Sequence, residues 1–237
     1  MPQTFSDARI THIVNETAAV KRFYFEVLKE EPFVFNAGQF VMLDLPIESK
    51  VTTRSYSIAS APNKNNTFEL CVVLKEGGLG TTYMWEHFKV GQMVKISKPL
   101  GKFLLPEVID KDICFICTGT GIAPFIAMLQ QLSNEQKAHK NIYLIAGSRF
   151  QKDILYKNEL LGLKETIDRF EFVSVLSREE VPNCRKGYVH AIYEEIFQDK
   201  RPAWFYICGW HDMLHETRHR LEAMGYGKDA IKFESYD

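Results

Sequence analysis

The sequence predicts two consecutive domains, an all-β unit over residues 1–105 and an α/β unit over residues 106–237. Three observations carry this reading. A chain of 237 residues is long for one domain and comfortable for two. Its first part repeats short β-rich runs separated by turn signals, the cadence of a closed antiparallel barrel or sandwich. From about Pro106 the rhythm changes to near-continuous apolar runs with amphipathic stretches between and after them. That is the pattern of parallel strands buried on both faces and covered by helices.

In the first part the strand-like runs are Arg22 to Val27, Phe40 to Leu45, Ser55 to Ala59, Thr67 to Leu74 and Met93 to Ser97. Asn36-Ala37-Gly38, Ala61-Pro62-Asn63 and Lys89-Val90-Gly91 mark turns between them, and Thr81 to Phe88 reads as a helix. In the second part the buried runs are Ile113 to Cys117, Ile142 to Ala146, Phe170 to Leu176 and Trp204 to Cys208. Pro124 to Leu132 places Phe125, Met128, Leu129 and Leu132 on one helical face, and His211 to Met224 does the same with Leu214, Arg218, Leu221 and Met224. The join at Leu100 to Pro106 is short, so the two domains are expected to pack with a cleft between them.

Composition excludes several classes. A net charge of −1 gives no global attraction to nucleic acid or to an anionic membrane. No apolar run approaches the roughly 20 residues needed to span a bilayer. Met1 to Ile10 lacks a signal-peptide layout. The expectation is a cytoplasmic protein. Five cysteines, an odd number lying mostly in apolar runs, read as reduced and buried thiols rather than a disulfide framework. Cys114 and Cys117 form a C-x-x-C, yet in a strand positions three apart face opposite ways, and no second pair completes a zinc site. No metal is expected.

Two segments carry chemistry on their own residues. Thr118-Gly119-Thr120-Gly121 follows an apolar strand and precedes a helix beginning near Pro124. Glycines there let the backbone approach a phosphate, and the helix start offers unpaired N–H groups to an anion. Arg54-Ser55-Tyr56-Ser57 opens a strand, with Arg54 and Tyr56 on one face and the two serines on the other. An Arg can pair bidentately with a pyrophosphate, and a Tyr can cover an aromatic ring.

Arg54-Ser55-Tyr56-Ser57 resembles the R-x-Y-S flavin signature of the ferredoxin–NADP reductase family. Other elements follow in the family's order. Gly78-Leu79-Gly80-Thr81 resembles its G-x-x-S/T element, and Gly101-Lys102-Phe103 its barrel-closing glycine. Thr118 to Phe125 resembles its pyrophosphate loop, Cys208-Gly209 with Met213 its C-G-x-x-x-M, and Glu234-Ser235-Tyr236 its terminal E-x-Y. The resemblance implies a six-stranded antiparallel β-barrel that binds FAD and a five-stranded parallel, Rossmann-like domain that binds NADP(H).

It also implies roles. Arg54 would pair with the FAD pyrophosphate, with Ser55 beside it in the motif, and Tyr56 would pack against the flavin. Ser57 would place its hydroxyl near flavin N5, the hydride acceptor. Backbone groups of Cys71, Val72 and Val73 would line the ring, and Gly80 and Thr81 would begin a helix, capped by Thr81, aimed at the pyrophosphate. Thr118, Gly119, Thr120 and Gly121 would hold the dinucleotide, with Cys208 and Gly209 at the nicotinamide C4. Ser177 and Arg178 resemble the family's S-R-E segment, and Lys186-Gly187-Tyr188 its K-x-Y. They would grip a 2′-phosphate and stack on adenine, with Arg149 adding to the same positive pocket. Arg178 and Lys186 favour NADPH, whereas Glu179 is the type of residue that meets the ribose hydroxyls of NADH. Tyr236 would cover the flavin face that nicotinamide must occupy, with Glu234 and Ser57 relaying protons. The chain departs from the family by Asp237, an extra carboxylate that would disfavour an anionic reduced flavin.

The implied activity is an FAD-dependent oxidoreductase moving a hydride between NADPH and flavin and passing single electrons to or from ferredoxin or flavodoxin. Alternatives are a stand-alone NAD(P)H:flavin reductase, a separate reductase component of an oxygenase system, and a non-catalytic nucleotide-binding redox sensor. No cysteine set has plant-type iron–sulfur spacing. Nothing in the sequence fixes an oligomeric state.

Overall fold

The computed structural model describes residues 4–50 and 52–236. The chain divides into two compact units, Met1–Leu104 with Ala123–Gln131, and Leu105–Ile122 with Leu132–Asp237.

Unit 1 is built on strands β1 (Phe5–Asn15), β2 (Val20–Val27), β3 (Phe40–Asp44), β4 (Thr53–Ser57), β5 (Thr67–Val73) and β6 (Met93–Ser97), with helix α1 (Leu79–His87) between the last two. All six pair antiparallel in the order β4-β3-β6-β1-β2-β5. The two ends of that order meet at an isolated bridge, Ile58 to Leu70, where Ala59 N–H donates to the Glu69 carbonyl at 2.8 Å. This closes the barrel. Its interior is aromatic, with Phe25 stacked on Phe68 at 5.0 Å and Phe23 edge-on to Phe88 at 5.5 Å. Burying each such ring contributes roughly 1.5–3 kcal/mol.

Five strands lie where the sequence puts them, and β6 coincides residue for residue. The sixth, β1, is absent from the sequence reading, and its pairing shows why. Ile10 pairs with Phe25 but His12 pairs with Tyr24, so Thr11 is an extra residue in a bulge. A bulge shifts the phase of the in–out alternation and hides the period of two.

Unit 2 begins with β7 (Asp112–Thr118), followed by a 3₁₀ turn over Gly119–Ile122 and helix α2 (Ala123–Glu135). Most of α2, Ala123–Gln131, groups with unit 1; unit 2 resumes with β8 (Ile142–Ser148), α3 (Lys157–Thr166), β9 (Phe170–Leu176), β10 (Arg185–Lys186), α4 (Val189–Ile196), β11 (Ala203–Gly209), α5 (His211–Ala223) and β12 (Ile231–Ser235). The strands are all parallel, in the order β10-β9-β8-β7-β11-β12. The four apolar runs read from the sequence are β7, β8, β9 and β11, and the edge strands β10 and β12 make the sheet six-stranded where five strands were expected. Between the sheet and helices α4 and α5 lies a core that includes Val175, Ile192, Phe197, Phe205, Ile207, Leu214 and Leu221.

From β7 the chain steps through β8, β9 and β10 to one side, then returns to place β11 on the other side of β7. Connections leave in opposite directions there, which opens a crevice at the carboxyl ends of β7 and β11. All five cysteines are free thiols. Among the described residues no helix is long and apolar enough to cross a membrane, and no group of three or more His, Cys, Asp or Glu can hold a metal ion.

Candidate functional site

In unit 1 the predicted flavin residues gather where β4 meets β5. Beyond the Ile58–Leu70 bridge the two strands do not continue as a ladder among the described residues, so the barrel wall parts between Arg54–Ser57 and Cys71–Val73. Ser57 is buried, as are Cys71 and Val72. Tyr56 packs against the barrel core, and burial pushes its phenol up to about 12, partly offset by the Arg54 guanidinium. The phenol therefore stays neutral and able to donate. Ser55 points to solvent. Gly80 is buried against Arg54. A methyl carbon placed on Gly80 would lie 2.9 Å from Arg54 Cγ, so the missing side chain makes room for the arginine stem.

Thr81 departs from its expected role. Helix α1 begins at Gly78 without a side-chain cap, and Thr81 sits inside the first turn. Its hydroxyl accepts from Lys75 N–H at 3.2 Å and donates to the Gly78 carbonyl at 3.1 Å. It closes the loop ahead of the helix and leaves the helix-start N–H groups uncapped. The donor set of Arg54, Tyr56 and an uncapped helix start fits a stacked ring joined to a diphosphate.

In unit 2 the crevice between β7 and β11 shows that the two loop glycines do different work. Gly119 has φ +54, and a methyl placed on it meets nothing nearer than the Trp210 Nε1 at 3.9 Å. Its approach side is open. A methyl on Gly121 would lie 2.6 Å from the Cys208 carbonyl carbon and 2.8 Å from Gly209 Cα. Gly209, at φ +140, is hemmed in turn by Thr118, whose Oγ1 would be 2.6 Å from its added methyl. The end of β7 and the end of β11 therefore interlock through paired glycines. Thr120 is buried within this turn, and Pro124 occupies the first turn of α2, where no N–H is needed. Gly119 is the glycine that leaves room for a phosphate, whereas Gly121 is required by strand packing.

Cys208 lies opposite Cys117 on β7 and Glu234 on β12 in register. Burial pushes its thiol well up, the Glu234 carboxylate adds to that, and a hydrogen bond with the Tyr236 hydroxyl opposes it. Cys208 is thus a neutral packing group with Glu234 and Tyr236 beside it. Tyr236 N–H also donates to the Gly209 carbonyl at 3.1 Å, which ties the tail to the crevice. Asp237 lies outside the described residues. Trp210 was not singled out from the sequence. Its indole is 55% exposed in the crevice, and the available signal was a large aromatic directly after Cys-Gly.

The phosphate-binding candidates lie on the loops that follow β8 and β9, in the short strand β10 and just after it. Ser177 N–H donates to the Ser148 carbonyl and Arg178 N–H to the Arg149 carbonyl, both at 3.0 Å, so the two loops run side by side. Arg149 and Arg178 are both exposed, and among the described residues neither guanidinium carries a carboxylate partner. The loop's acids are engaged elsewhere. Glu179 accepts from Gln151 N–H at 2.6 Å, and Glu180 pairs with Lys186 Nζ at 2.8 Å, which lowers the Glu180 carboxyl. Lys186 is therefore an ion-paired cation. Tyr188 stands 71% exposed just before α4. Two unpaired guanidiniums beside an exposed phenol ring fit an anionic aromatic nucleotide.

Comparison with known proteins matches both parts of the chain to oxidoreductase domains. Residues 7–104 match the oxidoreductase FAD-binding domain family and residues 115–219 the oxidoreductase NAD-binding domain family. Ferredoxin–NADP reductase B of Sorangium cellulosum is 31% identical over 239 residues, covering 98% of this chain and 97% of that protein. The glycine betaine monooxygenase reductase subunit of Pseudomonas aeruginosa is 26% identical, covering 96% of this chain but 63% of that longer protein. Among solved structures, a ferredoxin NADP+ reductase from Neisseria gonorrhoeae with bound FAD and NADP has a TM-score of 0.83 at 26% identity, covering 98% of each chain. The Amycolatopsis cytochrome P450 reductase GcoB has a TM-score of 0.87 at 25% identity, covering 99% of this chain and 71% of that one.

Proposed function

The chain belongs to the ferredoxin–NADP reductase family of FAD- and NAD-binding oxidoreductases, and from that premise we propose that it is an NADPH-dependent reductase serving a ferredoxin or flavodoxin in the cytoplasm. Residues 1–105 would hold FAD and residues 106–237 the dinucleotide. The chemistry supplied by the bound cofactors is hydride exchange between nicotinamide and flavin with one-electron release to a protein acceptor.

The chain's own residues bind and orient. Arg54 holds the FAD diphosphate, Tyr56 packs on the ring system, and Ser57 offers a hydroxyl to the flavin edge. Backbone groups of Cys71, Val72 and Val73 line the parted seam. Gly119 admits the dinucleotide phosphates at the crevice. Cys208, kept neutral by burial, shapes the nicotinamide pocket without carrying charge into it. Glu234 is the proton-holding group beside it, and Tyr236 covers the pocket mouth. The five free thiols suit a reducing compartment.

The preference for NADPH rests on one observation. Arg149 and Arg178 present unpaired guanidiniums while Glu179, the group that would meet a ribose diol, is held by Gln151 N–H. A 2′-phosphate satisfies that charge pattern and a diol does not. Anaerobic titration of the FAD-loaded protein with NADPH and NADH, followed by mixing with a ferredoxin and a flavodoxin, tests the reading. Fast flavin reduction by NADPH and reoxidation by one of the two proteins is the expected result. Equal reduction by both dinucleotides, or reoxidation only by free flavin, rejects it.

A further inference from the structure

Helix α5 carries three histidines at four-residue spacing, His211, His215 and His219, which no part of the redox chemistry uses. His215-Glu216-Thr217-Arg218-His219 also reads as an H-E-x-x-H, the spacing that sets two imidazoles on one helical face for a zinc ion. The structure rules out a protease-like use of it. Glu216, the would-be base, is held by Arg220 at 2.7 Å and by His190 Nε2 at 3.2 Å. No third protein ligand stands near, since no group of three or more His, Cys, Asp or Glu among the described residues can hold a metal.

The preceding pair is different. The His211 and His215 rings lie with centroids 4.2 Å apart, and both side chains face solvent. Residues four apart on a helix are surface neighbours, which lets two imidazole nitrogens reach one ion at about 2.0–2.1 Å. His219 is two turns from His211, about 12 Å along the axis, so the three cannot share an ion. The start of a helix disfavours a cation, and this is offset locally by Asp212, whose carboxylate lies 3.8 Å from His211 Nδ1 and is fully exposed. Towards the other end the charge reverses, because the Arg218 guanidinium lies over Phe233 at 4.1 Å and Arg220 follows one turn after Glu216. The first histidine pair is therefore the better electrostatic site for a dication.

We propose that His211 and His215 form a two-histidine site for a divalent transition-metal ion of the Zn²⁺, Ni²⁺ and Cu²⁺ class, with water completing its shell. Imidazole suits these ions, and hard cations such as Mg²⁺ prefer oxygen donors. The site lies at the start of α5, directly after Trp210, on the rim of the β7–β11 crevice.

Calorimetric titration of the FAD-loaded protein with NiCl₂ in a non-chelating buffer tests it. One Ni²⁺ should bind per chain. His211→Asn and His215→Asn should each weaken binding by more than the roughly tenfold that loss of a mere outer-shell partner costs. His219→Asn should leave it unchanged, and MgCl₂ should give no saturable heat. An unchanged flavin spectrum and melting temperature in each variant excludes a folding cause. Wild-type binding no tighter than that of the His211→Asn/His215→Asn double variant overturns the proposal, as does a loss in His219→Asn equal to that in His211→Asn.

Discussion

Replacing Gly121 by Ala drives one methyl group into the backbone of a neighbouring strand. The new carbon would lie 2.6 Å from the Cys208 carbonyl carbon and 2.8 Å from Gly209 Cα, with no flexible side-chain end to yield. The end of β11 is itself closely set against β7, since a methyl carbon on Gly209 would lie 2.6 Å from Thr118 Oγ1. Overpacking costs typically 1–3 kcal/mol, and a rigid backbone obstacle puts this case at about 3. Gly119→Ala is the matched control. Its methyl meets open space, so it bears only the strain of a left-handed residue at φ +54, about 1 kcal/mol. The gap of about 2 kcal/mol corresponds to roughly 8 °C in melting temperature for a unit of this size. Urea unfolding followed by circular dichroism gives the stability, and NADP+ difference spectra give the binding. Gly121→Ala should lose both, whereas Gly119→Ala should lose binding more than stability. If Gly121→Ala costs no more stability than Gly119→Ala, the interlock of β7 with β11 is not what requires glycine there.

Other consequences are as direct. Arg178→Ala should raise the NADPH KM by roughly ten- to a hundredfold, the worth of a charge-assisted hydrogen bond, and leave the NADH KM alone; equal effects in steady-state assays would show no 2′-phosphate site. Cys208 and Cys117 are buried, with thiols held well up, whereas Cys184 is half-exposed. Iodoacetamide at pH 8 should therefore modify Cys184 first by peptide mass mapping, and early labelling of Cys208 would contradict its burial. Burial lowers the His190 imidazole below its usual value, with Glu216 opposing. The unfolded chain then takes up this proton first, at about pH 6.5, so the fold loses stability as pH drops from there through the lower folded value. His190→Gln should flatten that decline, and identical urea midpoints against pH in both proteins would exclude His190 as its source.

Much of this molecule is legible from residues alone because its second half consists of strands buried on both faces. Ile113–Cys117 and Trp204–Cys208 announce themselves as unbroken apolar runs. β1 does not, since the extra residue Thr11 reverses its alternation midway. Short local motifs singled out the candidate flavin and dinucleotide residues, yet could not reveal what each one touches. The reason Gly121 must be glycine is Cys208, eighty-seven residues later in the chain. Lys186 is a plausible phosphate ligand in sequence and an ion-paired side chain in three dimensions, because Glu180 folds back onto it. Thr81 has the identity of a cap but sits three residues past the cap position, Gly78, too far along to act as one. Trp210 carried no motif weight, and only the topology of the crevice gives its exposed ring a meaning.

The single clasp between β4 and β5 has a mechanical consequence. Among the described residues, five of the barrel's six seams are laced by ladders, and the sixth is fastened at Ile58–Leu70 with the adjacent Ala59–Glu69 bond and a Glu69 N–H donated to Ser60 Oγ. Pulled open, a laced seam must shed its hydrogen bonds together, whereas this one gives way after very few. Local opening follows the route that sacrifices least, so the β4–β5 seam is where unit 1 is expected to open first, whereas β1 and β2 are joined along seven residue pairs. Hydrogen bonding in the barrel wall is thus sparsest where Arg54, Tyr56 and Cys71–Val73 gather, and densest on the β1–β2 side.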